Sequence, residues 1–276
     1  MILNNNITYS CSLDLRNGGI PKSSRMFSRA INSKCFSTDS ANELYKTISN
    51  LICCKYNPRK IITCHGLYRI HVIFALLDKL FKGGSIIFVP HGALDSYLLE
   101  KDGILKKLYL FSFFYFFSLF VNKIVFSTNL EREKANKLVP FIFKINQKTI
   151  HWGIEPKINY TVDKRSQSRE KLNIDKSTQV FISYGRLCHM KNFIKTVELF
   201  SILNKELKYK SILIIFGTPD EISTSDLRKK TIELGIQDYV FIDGYIDINK
   251  DRTFLYASDI YLSLSERENF NRSLVE

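Results

Sequence analysis

The sequence lacks the short signatures of several common enzyme classes. It has no G-x-x-x-x-G-K-[ST] loop and no G-x-G-x-x-G fingerprint, so neither a P-loop nucleotidase nor a typical dinucleotide-binding enzyme is indicated. It has no G-x-S-x-G turn, which excludes the usual Ser–His–Asp hydrolase. No His, Cys and Asp cluster has metal-ligand spacing, so no metal site is expected.

Paired cysteines are also missing. No C-x-x-C occurs, and adjacent Cys53 and Cys54 would make a poor disulfide. We therefore expect small core residues in a reducing compartment, which favours the cytoplasm. The first residues include Asn4, Asn5 and Asn6 rather than a charged start and an apolar run, so no signal peptide is expected.

The composition indicates a folded, basic protein. The chain has 276 residues with 45% hydrophobic content, which suits two modest domains. Lys and Arg outnumber Asp and Glu by 40 to 27, giving a net charge of +13 that favours anionic partners. Nucleic acid is not expected, because Arg and Lys do not cluster with aromatic residues on one face.

One apolar run, at residues 108–121, raises the question of a membrane. Its fourteen residues are fewer than the roughly 18–20 needed to span a bilayer. The run predicts either a buried helix or a helix that lies against the membrane. Lys101, Lys106, Lys107 and Lys123 flank it and would suit anionic headgroups, so peripheral contact with the inner face of the membrane stays open.

Apolar runs alternate with amphipathic segments along most of the chain, which predicts α/β architecture with parallel sheets. We place one domain at residues 1–160, another at 161–276, and a linker at 157–176. Residues 30–40 show no clear strand. The predicted strands are residues 7–12, 60–65, 85–90, 123–128 and 148–152 in the first domain, and 179–184, 211–216, 239–246 and 259–265 in the second.

A glycine and two cations follow the first strand of the second domain. Gly185 permits a ligand to approach the backbone, Arg186 can fork onto phosphate oxygens, and Lys191 adds a charge at a helix start. A helix N-terminus also favours an anion. This combination predicts a diphosphate site, with a plain glycine turn and two solvated cations as the alternative.

Two carboxylates lie near the last predicted strand. Glu268 and Glu276 are eight residues apart across a strand-to-helix turn. Carboxylates accept hydrogen bonds from sugar hydroxyls, so these two residues are candidates for a sugar or ribose site. A charged surface loop is the alternative.

These motifs together resemble the retaining glycosyltransferases of family 4, which have the GT-B fold. The resemblance extends over almost the whole chain. It rests on Asn17-Gly18-Gly19-Ile20, Pro90-His91-Gly92-x-Leu94-Asp95, Gly185-Arg186-Leu187 with Lys191-Asn192, and Ser265-x-x-Glu268-x-Phe270 with Glu276.

The resemblance implies two Rossmann-like domains facing across a cleft, and transfer of a sugar from a nucleotide-sugar donor to a glycan or lipid-linked acceptor, as in surface polysaccharide and lipopolysaccharide assembly. It implies metal-independent chemistry without a cofactor, and the chain has no D-x-D. The implied roles are Gly19, Arg186 and Lys191 at the donor diphosphate, Glu276, Asn269 and Phe270 at the donor ribose and sugar, and His91 and Glu268 in catalysis.

Departures from the family pattern leave an alternative open. Asn271 stands where a glycine is usual, and Trp152 is unexpected at the domain junction. The family continues beyond the equivalent of Glu276, so we expect an incomplete second domain. The alternative function is a truncated, non-catalytic remnant that at most binds nucleotide sugar.

For the other four histidines the sequence predicts a location in the fold but no catalytic role. His65 ends a predicted strand and could also line the cleft. His151 and His189 are expected to be structural or solvated, and His71 is expected on a helix surface.

Overall fold

The computed structural model of the protein describes residues 6–17, 19–53, 55–153, 160–207, 210–248 and 250–275. Residue 17 and residues 97–103 are described by their backbone alone. The chain forms two compact units, Met1–Gly153 and Ile154–Glu276. Each unit has its own parallel sheet, which confirms the predicted α/β class.

The first unit contains a six-stranded parallel sheet in the order β2-β1-β3-β4-β5-β6. Its long α-helices follow strands, as parallel connections require. The strands are β1 (Ile7–Ser10), β2 (Lys34–Ser37), β3 (Ile61–His65), β4 (Ser85–Val89), β5 (Val121–Phe126) and β6 (Asn146–Thr149). The helices are α1 (Gly19–Ala30), α2 (Ala41–Cys53), α3 (His71–Lys82), α4 (Ser96–Tyr109), a π-helical turn (Leu110–Phe114), α5 (Tyr115–Ser118) and α6 (Asn129–Leu138), with 3₁₀ turns at Leu15–Asn17 and Pro140–Lys144.

Strand β2 corrects the expectation that residues 30–40 lack a strand. It pairs in parallel with β1, from Ile7 opposite Lys34 to Ser10 opposite Ser37. Asn6 fixes the chain just before β2, because its side-chain amide donates to the carbonyl of Ile31 at 2.8 Å. The strand was missed because it is a four-residue edge strand with a mostly half-exposed side-chain pattern, so no continuous apolar run marks it.

A buried ion pair lies inside this unit. The Lys60 ammonium is 2.8 Å from the Asp78 carboxylate, and both side chains are at most 1% exposed. Burial raises the pKa of Asp78, and the hydrogen bond from Lys60 opposes that rise. The pair links the residue before β3 to helix α3.

The apolar run at residues 108–121 is helical but only partly buried. Leu110, Phe114 and Phe117 are fully buried, and both phenylalanine rings pack against Phe88 of β4. The opposite side of the same helical segment is exposed to solvent. The described helices include none that is both long enough and apolar enough to cross a bilayer.

The second unit contains a four-stranded parallel sheet in the order β10-β7-β8-β9. Its central strand β8 is buried at every position, as expected for a sheet covered on both faces. The strands are β7 (Gln179–Tyr184), β8 (Ser211–Phe216), β9 (Val240–Asp243) and β10 (Ile260–Tyr261). The helices are α7 (Val162–Lys171), α8 (Phe193–Glu206), α9 (Thr224–Glu233), α10 (Thr253–Ala257) and α11 (Arg272–Val275), with 3₁₀ turns at His189–Lys191 and Gln237–Tyr239.

Helix α7 occupies much of the stretch that the sequence suggested as a linker. Thr161 caps its start by accepting from the Lys164 amide. Arg169 attaches the helix to the sheet, because its buried guanidinium donates to the Ala257 and Thr178 carbonyls at 3.0 Å and to the Asp259 carboxylate at 2.6 Å. The sequence did not indicate α7 because most of its residues are polar, and only one side of the helix is buried against the rest of the unit.

We predict that Lys60→Met lowers the free energy of unfolding by about 3–5 kcal/mol at neutral pH, because it leaves a buried carboxylate without its partner. The matched control is Lys46→Met, which removes a solvent-exposed ion pair with Glu43 and should cost under about 1 kcal/mol. Urea unfolding measures both. The Lys60→Met loss should shrink as the pH falls, because the unpaired Asp78 carboxyl then takes up a proton in the folded state. Equal losses in the two variants would contradict this assignment.

Candidate functional site

The candidate site of the second unit begins where β7 and β8 end. Gly185 follows β7 with a φ of +145°, a conformation that glycine adopts readily and other residues rarely do. Gly217 follows β8 directly beside it, and a Cβ on Gly217 would lie 1.7 Å from the Gly185 carbonyl oxygen. The two strand ends therefore approach so closely that the second position requires a glycine.

A left-handed residue then joins this turn to the long helix α8. Asn192 has a φ of 54° and precedes Phe193, the first residue of α8. Its amide group donates to the Leu264 carbonyl at 3.1 Å and to the Glu266 carboxylate at 3.0 Å. The Glu266 amide in turn donates to the Met190 carbonyl at 2.9 Å. These bonds fasten the loop after β7 to the loop after β10.

The same two loops bring a cation and a carboxylate together. The Lys191 ammonium lies 2.6 Å from the Glu268 carboxylate, with side-chain exposures of 19% and 26%. A Cβ placed on Gly185 would lie 3.6 Å from Lys191 Cε and 3.5 Å from Ser273 Oγ. Tyr184 also donates its hydroxyl to the Ser273 carbonyl at 2.8 Å. Gly185, Lys191, Glu268 and Ser273 thus form one polar cluster.

Arg186 takes a different partner from Lys191. Its guanidinium is 3.5 Å from the Asp220 carboxylate, and both side chains remain substantially exposed, at 49% and 39%. Asn269 and Phe270 are half-buried in the loop after Glu268. Glu276, the predicted ribose ligand, lies outside the described residues. Of the candidates in this unit, the structure therefore joins Lys191 and Glu268 directly.

Sequence reasoning missed Glu266 as a structural member of this loop. Hydrogen bonds from Asn192 and Lys195, together with the Lys195 charge, lower the pKa of Glu266. Glu266 is therefore the carboxylate that anchors the loop, while Glu268 two residues later contacts the cation. The signal available in the sequence was the doubled carboxylate, Ser265-Glu266-Arg267-Glu268.

The other candidates lie in the first unit. Gly19 is the first residue of α1, and His91 follows β4 with a φ of 54°. The His91 ring is hydrogen-bonded to His65, with 2.9 Å between His91 Nε2 and His65 Nδ1. The Trp152 ring stacks on His91 at a centroid distance of 5.1 Å. His65 and Trp152, noted only weakly from the sequence, thus enclose the predicted catalytic histidine.

The prediction that His71 lies on a helix surface is wrong. Its side chain is fully buried at the start of α3, and burial lowers its pKa to about 4. The first turn of α3 lies against the end of β3, so the His71 ring is enclosed although it belongs to a helix.

A parallel α/β unit with a glycine turn, a cation and a carboxylate at the carboxyl ends of its strands has the layout of the open α/β folds, which bind their ligands at that edge. Within that class, residues 164–276 match the family model of glycosyl transferases group 1. This part of the chain is a domain of that family, as the motifs indicated.

A curated relative and solved structures agree with this assignment. The poly(glycerol-phosphate) alpha-glucosyltransferase of Bacillus subtilis is 32% identical over 105 residues, which cover 38% of this chain and 15% of that protein. The structure of HepE from Anabaena with UDP and glucose has a TM-score of 0.69 at 12% identity and covers 98% of this chain and 77% of its own. Sucrose-phosphate synthase from Thermosynechococcus elongatus has a TM-score of 0.71 at 14% identity, with coverages of 97% and 77%. At such identities the structural likeness establishes the GT-B type of fold.

We predict that Gly217→Ala destabilises the second unit by about 1–3 kcal/mol or more, because the new methyl group must displace the Gly185 backbone. Gly244→Ala is the matched control, since a Cβ there meets nothing within 4 Å although the Gly244 carbonyl accepts from the Gly217 amide. Thermal unfolding compares the two. A Gly217→Ala variant as stable as Gly244→Ala would disprove the close approach.

Proposed function

We propose that the protein is a retaining glycosyltransferase that moves a sugar from a nucleoside-diphosphate sugar to a glycan or lipid-linked acceptor. The observation that carries the proposal is the Lys191–Glu268 pair beside Gly185, at the strand ends of a glycosyl transferases group 1 domain. Such a pair presents a positive charge to a phosphate and a carboxylate to sugar hydroxyls at one place.

The residues of this cluster suit the chemistry of glycosyl transfer. The bond that breaks joins the anomeric carbon to a β-phosphate oxygen, and the bond that forms joins that carbon to the acceptor oxygen. Lys191 stabilises the negative charge that develops on the departing diphosphate. Because its ammonium has three donors, it can keep Glu268 and still donate to a phosphate oxygen.

The remaining roles follow the family resemblance. Arg186 adds a second cation at the diphosphate once the donor competes with Asp220. Glu268 accepts from the sugar, and Glu276 accepts from the ribose, with Asn269 and Phe270 between them. The acceptor proton passes to the β-phosphate oxygen on the same face, which retains the anomeric configuration and requires no protein nucleophile. Gly19 and His91 of the first unit serve the diphosphate and the transferred sugar.

The relatives suggest a donor and a setting. HepE binds UDP and glucose, which makes UDP and UDP-glucose the first probes for this chain. WaaG, a further structural relative at 14% identity, is a glycosyltransferase of lipopolysaccharide biosynthesis, and the Bacillus subtilis relative glucosylates poly(glycerol phosphate). We therefore propose an acceptor in surface polysaccharide assembly.

We predict that Lys191→Ala weakens UDP binding by about 2–3 kcal/mol, or about 30–150-fold, because a charge-assisted hydrogen bond to the diphosphate is lost. Arg186→Ala should also weaken binding, but less, because Arg186 must first leave Asp220. Isothermal titration calorimetry measures both dissociation constants.

Lys230→Ala is the control for that experiment, since its ion pair with Glu198 lies elsewhere on the same unit. UDP affinity that stays unchanged in both site variants would refute the donor assignment. Binding of UDP-glucose without release of UDP in the presence of any acceptor would support the non-catalytic remnant instead.

The location proposed for this chemistry is the inner face of the membrane. Among the described side chains of α4, the π-helical turn, α5 and the residue after it, seven large apolar ones are 48–78% exposed at helical spacing: Ile104, Leu105, Leu108, Phe111, Tyr115, Phe116 and Leu119. We call this surface the apolar ridge. Between Asp102 and Glu131 the sequence contains Lys106, Lys107 and Lys123 but no carboxylate. An exposed apolar stripe with basic neighbours fits the interface of an anionic bilayer.

We predict that the protein sediments with vesicles containing anionic phospholipid, and that Leu105→Ser with Leu108→Ser reduces the bound fraction several-fold. The matched control is Ile52→Ser, which removes an equally exposed apolar side chain from α2, outside the ridge. Uncharged vesicles and high salt should bind less protein than anionic vesicles at low salt. Equal vesicle binding by the ridge variant and the wild type would exclude the apolar ridge as the membrane contact. If the wild type forms concentration-dependent dimers and does not bind vesicles, the ridge is instead a contact with a second copy of the chain.

A further inference from the structure

The predicted catalytic histidine of the first unit is held by a second histidine. His65 is the last residue of β3 and is fully buried, while His91 lies in the loop after the neighbouring strand β4 and is half-buried. His65 Nδ1 is 2.9 Å from His91 Nε2. The ring centroids are 5.2 Å apart and the ring planes differ by 26°, so the two imidazoles meet edge to edge in nearly one plane, as a direct hydrogen bond between ring nitrogens requires.

An indole also packs beside His91. The Trp152 ring lies nearly parallel to His91, with an interplanar angle of 25° and centroids 5.1 Å apart, so His91 is held by a hydrogen bond at one edge and by packing against the indole. Phe27 of α1 contacts the rings of both His65 and Trp152 edge-on, with centroids 5.4 Å from His65 and 6.4 Å from Trp152. The backbone is fixed as well, because the Gly92 amide donates to the Glu131 carboxylate at 2.6 Å.

The hydrogen bond between the two imidazoles needs one proton and one lone pair. His65 Nε2 is buried and has no hydrogen-bond partner among the described residues. A proton on that nitrogen would be a buried, unsatisfied donor, which is unfavourable. The neutral His65 ring therefore carries its proton on Nδ1 and donates it to His91 Nε2. His91 then carries its own proton on Nδ1.

We propose that His65 and Trp152 are positioning residues that fix the ring orientation and the Nδ1-protonated, neutral form of His91. This inference rests on the proposed role of His91 in glycosyl transfer. A neutral His91 held in this way offers one fixed donor to a substrate oxygen, whereas an unrestrained imidazole would exchange between two tautomers and several rotamers.

The surroundings keep His65 neutral. Burial, His91 and His71 lower the pKa of His65 well below its ordinary value. His71 is itself buried, and its pKa is lowered by burial and by the Arg69 charge. The nearby carboxylate, Glu131, is occupied by the Gly92 amide and by the Ser127 amide and hydroxyl. A proton added to His91 would thus displace the His65 proton onto the unsatisfied nitrogen.

Trp152 provides a direct probe, because it is the chain's only tryptophan. An imidazolium in contact with an indole quenches its fluorescence, so emission measured against pH reports the protonation of His91. His91→Asn should abolish the acidic quenching, which also excludes His151 as its source. His65→Leu should move the quenching midpoint to higher pH by about one unit, because the donor that opposes protonation is gone.

His65→Asn is the conservative variant, since its side-chain amide can donate from the position of Nδ1. It should restore the wild-type midpoint and most of kcat, whereas His65→Leu should lower kcat more than it raises KM. An unchanged midpoint in His65→Leu would overturn the inference.

Two-bond ¹H–¹⁵N spectra of the unmodified protein give a readout that needs no variant. They should show His91 protonated on Nδ1, and a proton on His91 Nε2 would overturn the inference even if the variants fail to fold. These measurements do not depend on turnover. If the unmodified protein shows the expected tautomer but His91→Asn transfers sugar at the unchanged rate, the catalytic role of His91 is refuted. The positioning of the His91 ring by His65 and Trp152 would still stand.

Discussion

The parallel direction of the strands is the constraint on which both units depend. Because every pair of neighbouring strands within a sheet runs the same way, the chain must return across a face of the sheet after each strand. All strands therefore end at the same edge, and the loops that leave this edge lie side by side. Gly185 and Gly217 follow adjacent strands, and His65 ends the strand next to the one that precedes His91, which is why residues distant in sequence meet there.

This constraint also explains how far the sequence could predict the fold. Buried strands such as β8 carry an unbroken apolar run and were located almost to the residue. Strand β2 and helix α7 were missed because their stability comes from side chains far away in the sequence, Asn6 for the first and Asp259 for the second. Local periodicity carries no information about such contacts.

The candidate site was predictable in its residue types but not in its pairings. The spacing of the motifs indicated a cation and a carboxylate after β7 and β10, and the structure joins Lys191 to Glu268. It could not indicate that Arg186 pairs with Asp220, or that Glu266 anchors the loop through Asn192. The sequence does not fix the direction in which the Glu266 and Glu268 side chains point, so it cannot tell which of them contacts Lys191. In the structure, the left-handed Asn192 binds Glu266, and Glu268 is the carboxylate that reaches Lys191.

The two departures from the family pattern have local structural explanations. Asn271 replaces a glycine, and its side-chain oxygen accepts from the Leu274 amide at 3.4 Å while its amide donates to Ser263 at 3.3 Å. It therefore caps α11 and braces the loop that carries Glu268. Trp152 replaces a smaller residue and fills the space over His91, where a small side chain would leave one face of the ring open to water. Both substitutions add contacts beside a predicted catalytic residue, so at these two positions packing and capping take the place of a close backbone approach.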